Sequence, residues 1–156
     1  MSIFIHETAI IDDHVKIGKN TKIWAYTHIM WGVEIGDNCV IGEGVHIGKN
    51  IKIGNNCKIQ NHALLYEGVH LEDNVFIGPG VVTTNDILPD TNDDWTDRFR
   101  TTLFKKQSSI GANSTILCGL TIEEGTLVGA GSVITKSTKK NGIYLGNPGK
   151  LYKMKE

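Results

Sequence analysis

Aliphatic residues recur every six positions along this chain. From Ile5 the series runs through Ile11, Ile17, Ile23, Ile29, Ile35, Ile41, Ile47, Ile53, Ile59, Leu65, Leu71 and Ile77 without a miss. Thr83 breaks it, and the same spacing resumes at Ile110, Ile116, Ile122, Val128 and Ile134. Four residues after each of these stand small or aliphatic side chains, among them Ala9, Val15, Thr21, Val33, Cys39, Val45, Cys57, Val75, Val81, Leu120 and Ser132. Both positions read as inward-facing. Three residues after the aliphatic, thirteen of the nineteen hexads carry Asn or Gly; these types accept positive φ, so that place is a corner. A sandwich of alternating strands with irregular turns does not account for a strict period of six.

One aliphatic, one corner residue and one small inward residue describe a short strand plus a turn, and three such units close a triangular coil. The expectation is an all-β fold, a left-handed parallel β-helix of about six coils, with a hand opposite to the usual crossover. Strands of successive coils then lie about 4.8 Å apart, and residues one coil apart stack in columns. Cys39 and Cys57 fall in one inward column and Cys118 at a corner, so all three read as structural. An odd number of cysteines without paired spacing fits a reducing compartment.

Between Leu88 and Ile110 the hexads give way to PDTNDDWTDRFRTTLFKKQSS. The chain therefore reads as a single domain over residues 1–156, with one protruding loop at about 89–109 and a short tail at 140–156. A loop of this length is usually functional or disordered. Trp95, Phe99, Leu103 and Phe104 argue against disorder and predict a surface for the loop to lie on, either a second subunit or a ligand. Counted through the break, the frame reaches Ile87 as an inward residue, which would hold Asn85 on regular coil. The column below Asn85 contains Glu67, Lys49 and Trp31, a polar ladder beside the loop root.

Charge adds an exclusion. Sixteen basic and seventeen acidic residues nearly cancel, which gives no electrostatic ground for a nucleic-acid or membrane-surface partner and points to a small molecule. The periodic pattern starts almost at Met1, with no signal-like segment and no apolar run of spanning length, so a soluble, cytoplasmic protein is expected.

Nearly the whole chain resembles the hexapeptide-repeat acyltransferases that use acetyl-CoA. The segment KIQNHALLYEGVHLEDNVFIGPGVVTTND, residues 58–86, and the ending YLGNPGKLYK, residues 144–153, are similar to the N-acetyltransferases of nucleotide-linked 3-amino sugars. The most specific matches are Gln60-Asn61, Tyr66, Gly78-Pro79 and Thr84-Asn85-Asp86. The resemblance implies a homotrimer with active sites between subunits, acetyl-CoA as co-substrate and no metal. It also implies that an asparagine matching Asn85 hydrogen-bonds the sugar amine, with the coenzyme thiolate as a possible final proton acceptor. Other branches of the superfamily place a histidine base at the loop root, where this chain has Asn85-Asp86. The ending resembles a Gly-x-Pro-Ala-Lys/Arg turn near the coenzyme, with Gly149 in place of the alanine. Relatives acting on uronates often carry an arginine after the loop proline; Asp90 follows Pro89 here, which favours a neutral deoxy sugar, linked to thymidine by resemblance alone. The implied role is surface polysaccharide (lipopolysaccharide) biosynthesis, with a UDP-linked 3-amino uronate as the alternative substrate.

Acetyl transfer from a thioester needs an unprotonated amine held in line, a donor to the developing oxyanion and a path for one proton. Asn85 can orient the amine but cannot take its proton, whereas Glu67, one coil below, can assist electrostatically or accept it. Asp86, Tyr66, His62 and Lys49 are the further substrate-binding candidates. His62 occupies a corner usually given to Asn or Gly. Oxyanion and coenzyme contacts are assigned to the backbone at Gly111 and Ala112, where the coil restarts, and coenzyme phosphates to Lys136 and Lys150. His28 and His46 stand one coil apart in an outward column, read as lying at a corner, where they could meet substrate phosphate or act across a subunit boundary. One β-helix class is a zinc carbonic anhydrase with three shared histidines, but no close pair of histidines with four residues between them occurs here, so no metal is expected. A non-catalytic β-helix scaffold is the competing reading.

Overall fold

In the computed structural model of the protein, which describes residues 2–92 and 96–156, the hexads are two-residue strands joined by tight corners. The second residue of most strands is buried and the first faces outward, as in Lys22–Ile23, Val40–Ile41 and Lys58–Ile59. The strands stack into three sheets of nine, seven and six strands. Every pairing is parallel except the last, between Gly142–Leu145 and Lys150–Met154. Partners are eighteen residues apart, as in Lys22↔Val40 and Val40↔Lys58. The first sheet carries eight parallel rungs before its antiparallel ninth strand, more than the six coils expected, because unpatterned residues near the C-terminus add strands to the stack.

Corner geometry follows the expected chemistry. Positive φ occurs at Asn20, Asn38, Asn50, Asn56, Asn74 and Asn113, and at Gly32, Gly44 and Gly80. Non-standard corner residues take the same conformation, including His14, Tyr26 and His62. Cooperative stacking therefore imposes the turn even where the side chain disfavours it. The prism interior holds Ile23, Ile41, Ile59, Ile77, Ile110 and Val128, all with no exposed surface. Cys39 and Cys57 are free and buried in one column, each with its Sγ directed to a carbonyl 3.1 Å away, on Gly54 and Glu72 respectively.

The break at Thr83 is milder than the sequence suggests. Thr83 is still buried, and its hydroxyl donates to the Leu64 carbonyl (3.2 Å) while accepting from the Tyr66 N–H (3.0 Å). The ladder continues through Thr84, whose N–H reaches the Ile116 carbonyl at 3.1 Å. It stops there: Ile87 is 47% exposed, so the expectation that it occupies an inward place is corrected. The chain returns earlier than expected. Thr102–Phe104 is a strand of the third sheet, pairing Val69↔Thr102 and Leu71↔Phe104. The three pairings that span the inserted segment are thirty-three residues apart, against eighteen in the coils below, so fifteen residues are inserted into a single corner between the second and third sheets. Phe104 is fully buried and Gln107 has the corner's positive φ. An aromatic thus fills the first place of a hexad that an aliphatic filter overlooks, and Phe104 and Leu103 belong to the coil and not to a loop seeking a partner surface. Phe99 stays in the excursion, in an antiparallel bridge with Asp86. Trp95 lies outside the described residues.

Candidate active site

On the rung Val82–Thr83, the fifth of seven in the second sheet, the strand ends where the inserted segment leaves the prism. Two adjoining clefts flank this root. One, of about 240 Å³, is lined by Tyr66, Val82, Thr83, Thr84, Asn85, Asp86 and Pro89. The other, of about 220 Å³, shares Thr84, Asp86 and Pro89 and is completed by Ile87 of the inserted segment and by Leu117, Cys118 and Thr135 from higher rungs. Thr84, Asp86 and Pro89 therefore line both clefts, the first of which adds the amide of Asn85 and the phenol of Tyr66.

The root is held by the segment's own return. The Arg100 N–H donates to the Asn85 carbonyl at 3.0 Å, so Asn85 is fixed jointly by the coil before it and by the segment after it. Arg98, in a short 3-10 turn over Thr96–Arg98, reaches back to pair with Asp86 (3.1 Å) and Asp90 (2.9 Å), and donates to the Leu88 carbonyl (2.7 Å). The other Asp86 carboxylate oxygen accepts from the Leu88 N–H at 2.8 Å. Asp86 lines the cleft, yet its charge is balanced within the protein. The Arg98 clamp is a feature that the sequence reading missed, since nothing in the spacing of Arg98 marks it as the partner of two aspartates.

The Arg98 guanidinium, followed by hydrogen bonds from Asn92, pulls the Asp90 carboxyl down from 3.8 to about 2. A depressed carboxylate value means that the clamp is complete above the unfolded value and weakens as pH falls from 3.8 towards 2. The expected outcome is selective loss of hydrogen-exchange protection at the Arg100 amide across that window while coil amides stay protected. Arg98→Met is expected to expose the Arg100 amide already at neutral pH.

The remaining expected site residues are spread over several corners. Tyr66 and Asn85 line the same cleft. Glu67 and Lys49 occupy the corner between the second and third sheets, one and two rungs before Asn85; Glu67 is half-buried, Lys49 exposed, and neither lines the cleft. His62 is an exposed corner residue between the first and second sheets, at the opposite end of the strand from Tyr66. Gly111 and Ala112 also lie at that first corner and not beside Asn85, because Ile110 belongs to the first sheet. The Gly111 N–H is spent on the Val128 carbonyl (2.8 Å), so it is unavailable to an oxyanion. Lys136 follows Thr135, which lines the second cleft. Lys150 begins the antiparallel strand, opposite Leu145. Between them the Gly146–Gly149 turn caps the second sheet: the Val133 N–H donates to Gly146 and the Gly149 N–H to Val133, at 2.9 and 2.7 Å. Gly149 lies so close to the Ile134 side chain that a methyl group there would force it aside.

His28 and His46 are the outward residues of paired strands and not corner residues as expected. The Asp12 carboxylate meets His28 Nε2 at 2.9 Å. The two imidazoles lie edge to face at 6.0 Å, and the His46 ring lies 5.4 Å from that of Tyr66. Burial, and then the neighbouring His28, hold His46 below its ordinary pKa. Among the described residues no group of three or more His, Cys, Asp or Glu side chains is arranged to hold a metal ion.

A parallel β-helix of hexads with one long insertion beside a two-sided cleft defines a class, and sequence comparison agrees with it. The profile of the bacterial transferase hexapeptide (six repeats) family matches residues 14–49 and 50–85, and that of the hexapeptide repeat of succinyl-transferase matches residues 107–136. The chain belongs to the hexapeptide-repeat bacterial transferases. Over 148 residues it is 43% identical to the dTDP-3-amino-3,6-dideoxy-alpha-D-galactopyranose 3-N-acetyltransferase of Aneurinibacillus thermoaerophilus, covering 95% of this chain and 76% of that one. It is 30% identical to the bifunctional protein GlmU of Synechococcus sp. (strain CC9311), where 88% of this chain spans 28% of the relative. The crystal structure of AntD, an N-acyltransferase from Bacillus cereus in complex with dTDP and 3-hydroxybutyryl-CoA, superposes with a TM-score of 0.61 at 21% identity, covering 99% of this chain and 80% of that one. At that identity the superposition speaks for the fold.

Proposed function

We propose that this protein is an acetyl-CoA-dependent N-acetyltransferase acting on the amino group of a nucleotide-linked 3-amino-3,6-dideoxyhexose, with a dTDP sugar as substrate. The observation that carries the reading is the 43% identity, over nearly the whole chain, to an enzyme of that activity. The cleft supports it: an asparagine and a tyrosine face the space at the loop root, and among the described residues no histidine lines either cleft.

The unprotonated amine, oriented by donating a hydrogen bond to the Asn85 side-chain carbonyl, attacks the thioester carbon. The N–C bond forms, the C–S bond breaks, and the coenzyme leaves as a thiolate. One proton must leave the amine. Asn85 has no basicity to take it, so it passes to the departing thiolate, with Glu67 on the rung below supplying negative charge that favours the cationic nitrogen. Orientation and backbone donors carry most of the acceleration because a thioester is already reactive. Ala112 remains the backbone candidate for coenzyme contact, and Lys136 and Lys150 the cations for its phosphates. Ile87 and Leu88 project exposed apolar side chains at the cleft rim, which suits closure of the site by a second copy in a homotrimer. The biological setting of this reading is cytoplasmic synthesis of a surface polysaccharide precursor; among the described residues no helix is long and apolar enough to cross a membrane.

Thiol release from acetyl-CoA, measured with a panel of nucleotide-linked amino sugars, tests the reading. Turnover is expected with dTDP-3-amino-3,6-dideoxyhexoses and not with 3-amino uronates. Absence of both thiol release and coenzyme binding would leave a scaffold as the better account.

A further inference from the structure

The outward face of the second sheet carries an ordered set of side chains that the acetyl-transfer step does not use. His28 and His46 are register partners on consecutive rungs, and the next two outward residues are Leu64 and Val82. The column therefore runs without interruption from the histidines to the rung that ends at Asn85. Tyr66 joins the two regions: it lines the cleft with Asn85, and its ring lies against that of His46.

Resting on the function proposed above, we infer that His46 and His28 form the subsite for the diphosphate of the nucleotide-linked substrate, with His46 taking up a proton when the diphosphate binds. Distance along the prism supports this placement. The rung of His46 lies two below that of Val82, a separation of about 10 Å at the usual strand spacing. A pyranose ring and its phosphates span a comparable length when the amine is held at Asn85. The direction also fits, since the second cleft and the capping turn occupy the higher rungs and leave the lower ones for the nucleotide.

The electrostatics explain why this subsite depends on protonation. In the free protein burial, and then His28, hold His46 below its ordinary pKa, while His28 is paired with Asp12. On the rung above, Tyr66 and Glu67 stand at one corner and His62 at the other; on the rung of His46 itself, Lys49 and Glu43 hold the two corners. Lys49 offsets one of the two glutamates and Asp12 is engaged by His28, so the bound dianion brings the largest new charge to His46. A diphosphate oxygen at hydrogen-bonding distance stabilises the imidazolium and accepts a charge-assisted bond from it. Binding at neutral pH therefore draws a proton from solvent.

Calorimetry of dTDP binding to the intact protein, in two buffers of different ionisation enthalpy, reads that uptake directly. The expected result is uptake of up to one proton per dTDP near pH 7, with affinity about tenfold higher at pH 6 than at pH 8. His46→Gln is expected to reduce the uptake and the pH dependence to the part contributed by the terminal phosphate of dTDP, which itself titrates in this range, and His28→Gln to reduce affinity. His70→Gln serves as control: its imidazole is also held below the ordinary value, by burial and then Lys52, but it faces outward from the third sheet. Proton uptake unchanged by His46→Gln, or dTDP affinity independent of pH, overturns the inference. The two readings fail separately. Acetyl transfer to a nucleotide amino sugar without proton-linked dTDP binding refutes the subsite alone; proton-linked binding without transfer to any amine refutes the transferase and leaves the subsite standing.

Discussion

Asn85→Ala is expected to lower kcat for acetyl transfer about a hundredfold while leaving coenzyme binding and the melting temperature close to those of the unaltered protein. The amide side chain sits where the coil ends, and its backbone is held on both sides, by the Thr84 ladder bond and by the Arg100 N–H. Removing the side chain therefore leaves the backbone in place and takes away only the group that orients the amine. Loss of orientation alone is worth this much, because a displaced nucleophile no longer meets the thioester carbon in line. Glu67→Gln is expected to cost far less, about tenfold, since Glu67 does not line the cleft and a side chain that carried the proton itself would cost roughly a hundredfold or more. Steady-state kinetics with a saturating acceptor sugar separates the two. Wild-type turnover in Asn85→Ala would remove the site from the loop root.

The second large effect concerns stability. Phe104→Ala is expected to destabilise the protein by about 3–5 kcal/mol, read from denaturant midpoints, because a fully buried aromatic leaves a cavity that stacked coils cannot collapse to fill. The loss falls on the rung that receives the inserted segment, where Thr102 to Phe104 pairs with Val69 to Leu71 below and with the Thr121–Ile122 strand above. In a stack where each coil is supported chiefly by its neighbours, disruption there also loosens the loop root, so activity is expected to fall at temperatures where the outer coils remain folded. A change below about 0.5 kcal/mol, the range of ordinary surface substitutions, would show that Phe104 is not a rung residue.

Much of this molecule is legible without coordinates because a period of six is a local rule repeated many times. From Ile23 onward each aliphatic at the first place is buried in the prism, and the Asn and Gly corners adopt the φ that their chemistry permits. Reading became unreliable where the rule was satisfied by a different residue type. Phe104 fills an inward place that an aliphatic filter rejects, and Thr83 replaces packing with two hydrogen bonds. Conversely, Ile87 has the composition of an inward residue but lies beyond the last ladder bond, so its type misleads.

The candidate site shows the same division. Asn85, Tyr66 and Asp86 were identified from a short segment and share one cleft. Gly111 and Ala112 were assigned to the wrong corner because the return of the chain at Thr102 was missed, which shifts by one sheet the place where Ile110 stands. The Arg98 clamp and the contact of His46 with Tyr66 had no sequence signal strong enough to find them.

The chain's sequence by itself determined the period, the corners, the inward columns and the position of the interruption, because each depends on residues within one or two hexads of one another. Tertiary structure decided which face the inserted segment leaves, how Arg98 returns to its root, and which rings meet across rungs. Those relations depend on the number of residues between two points of re-entry into the stack, and an irregular segment does not reveal that number until its far end is seen to pair.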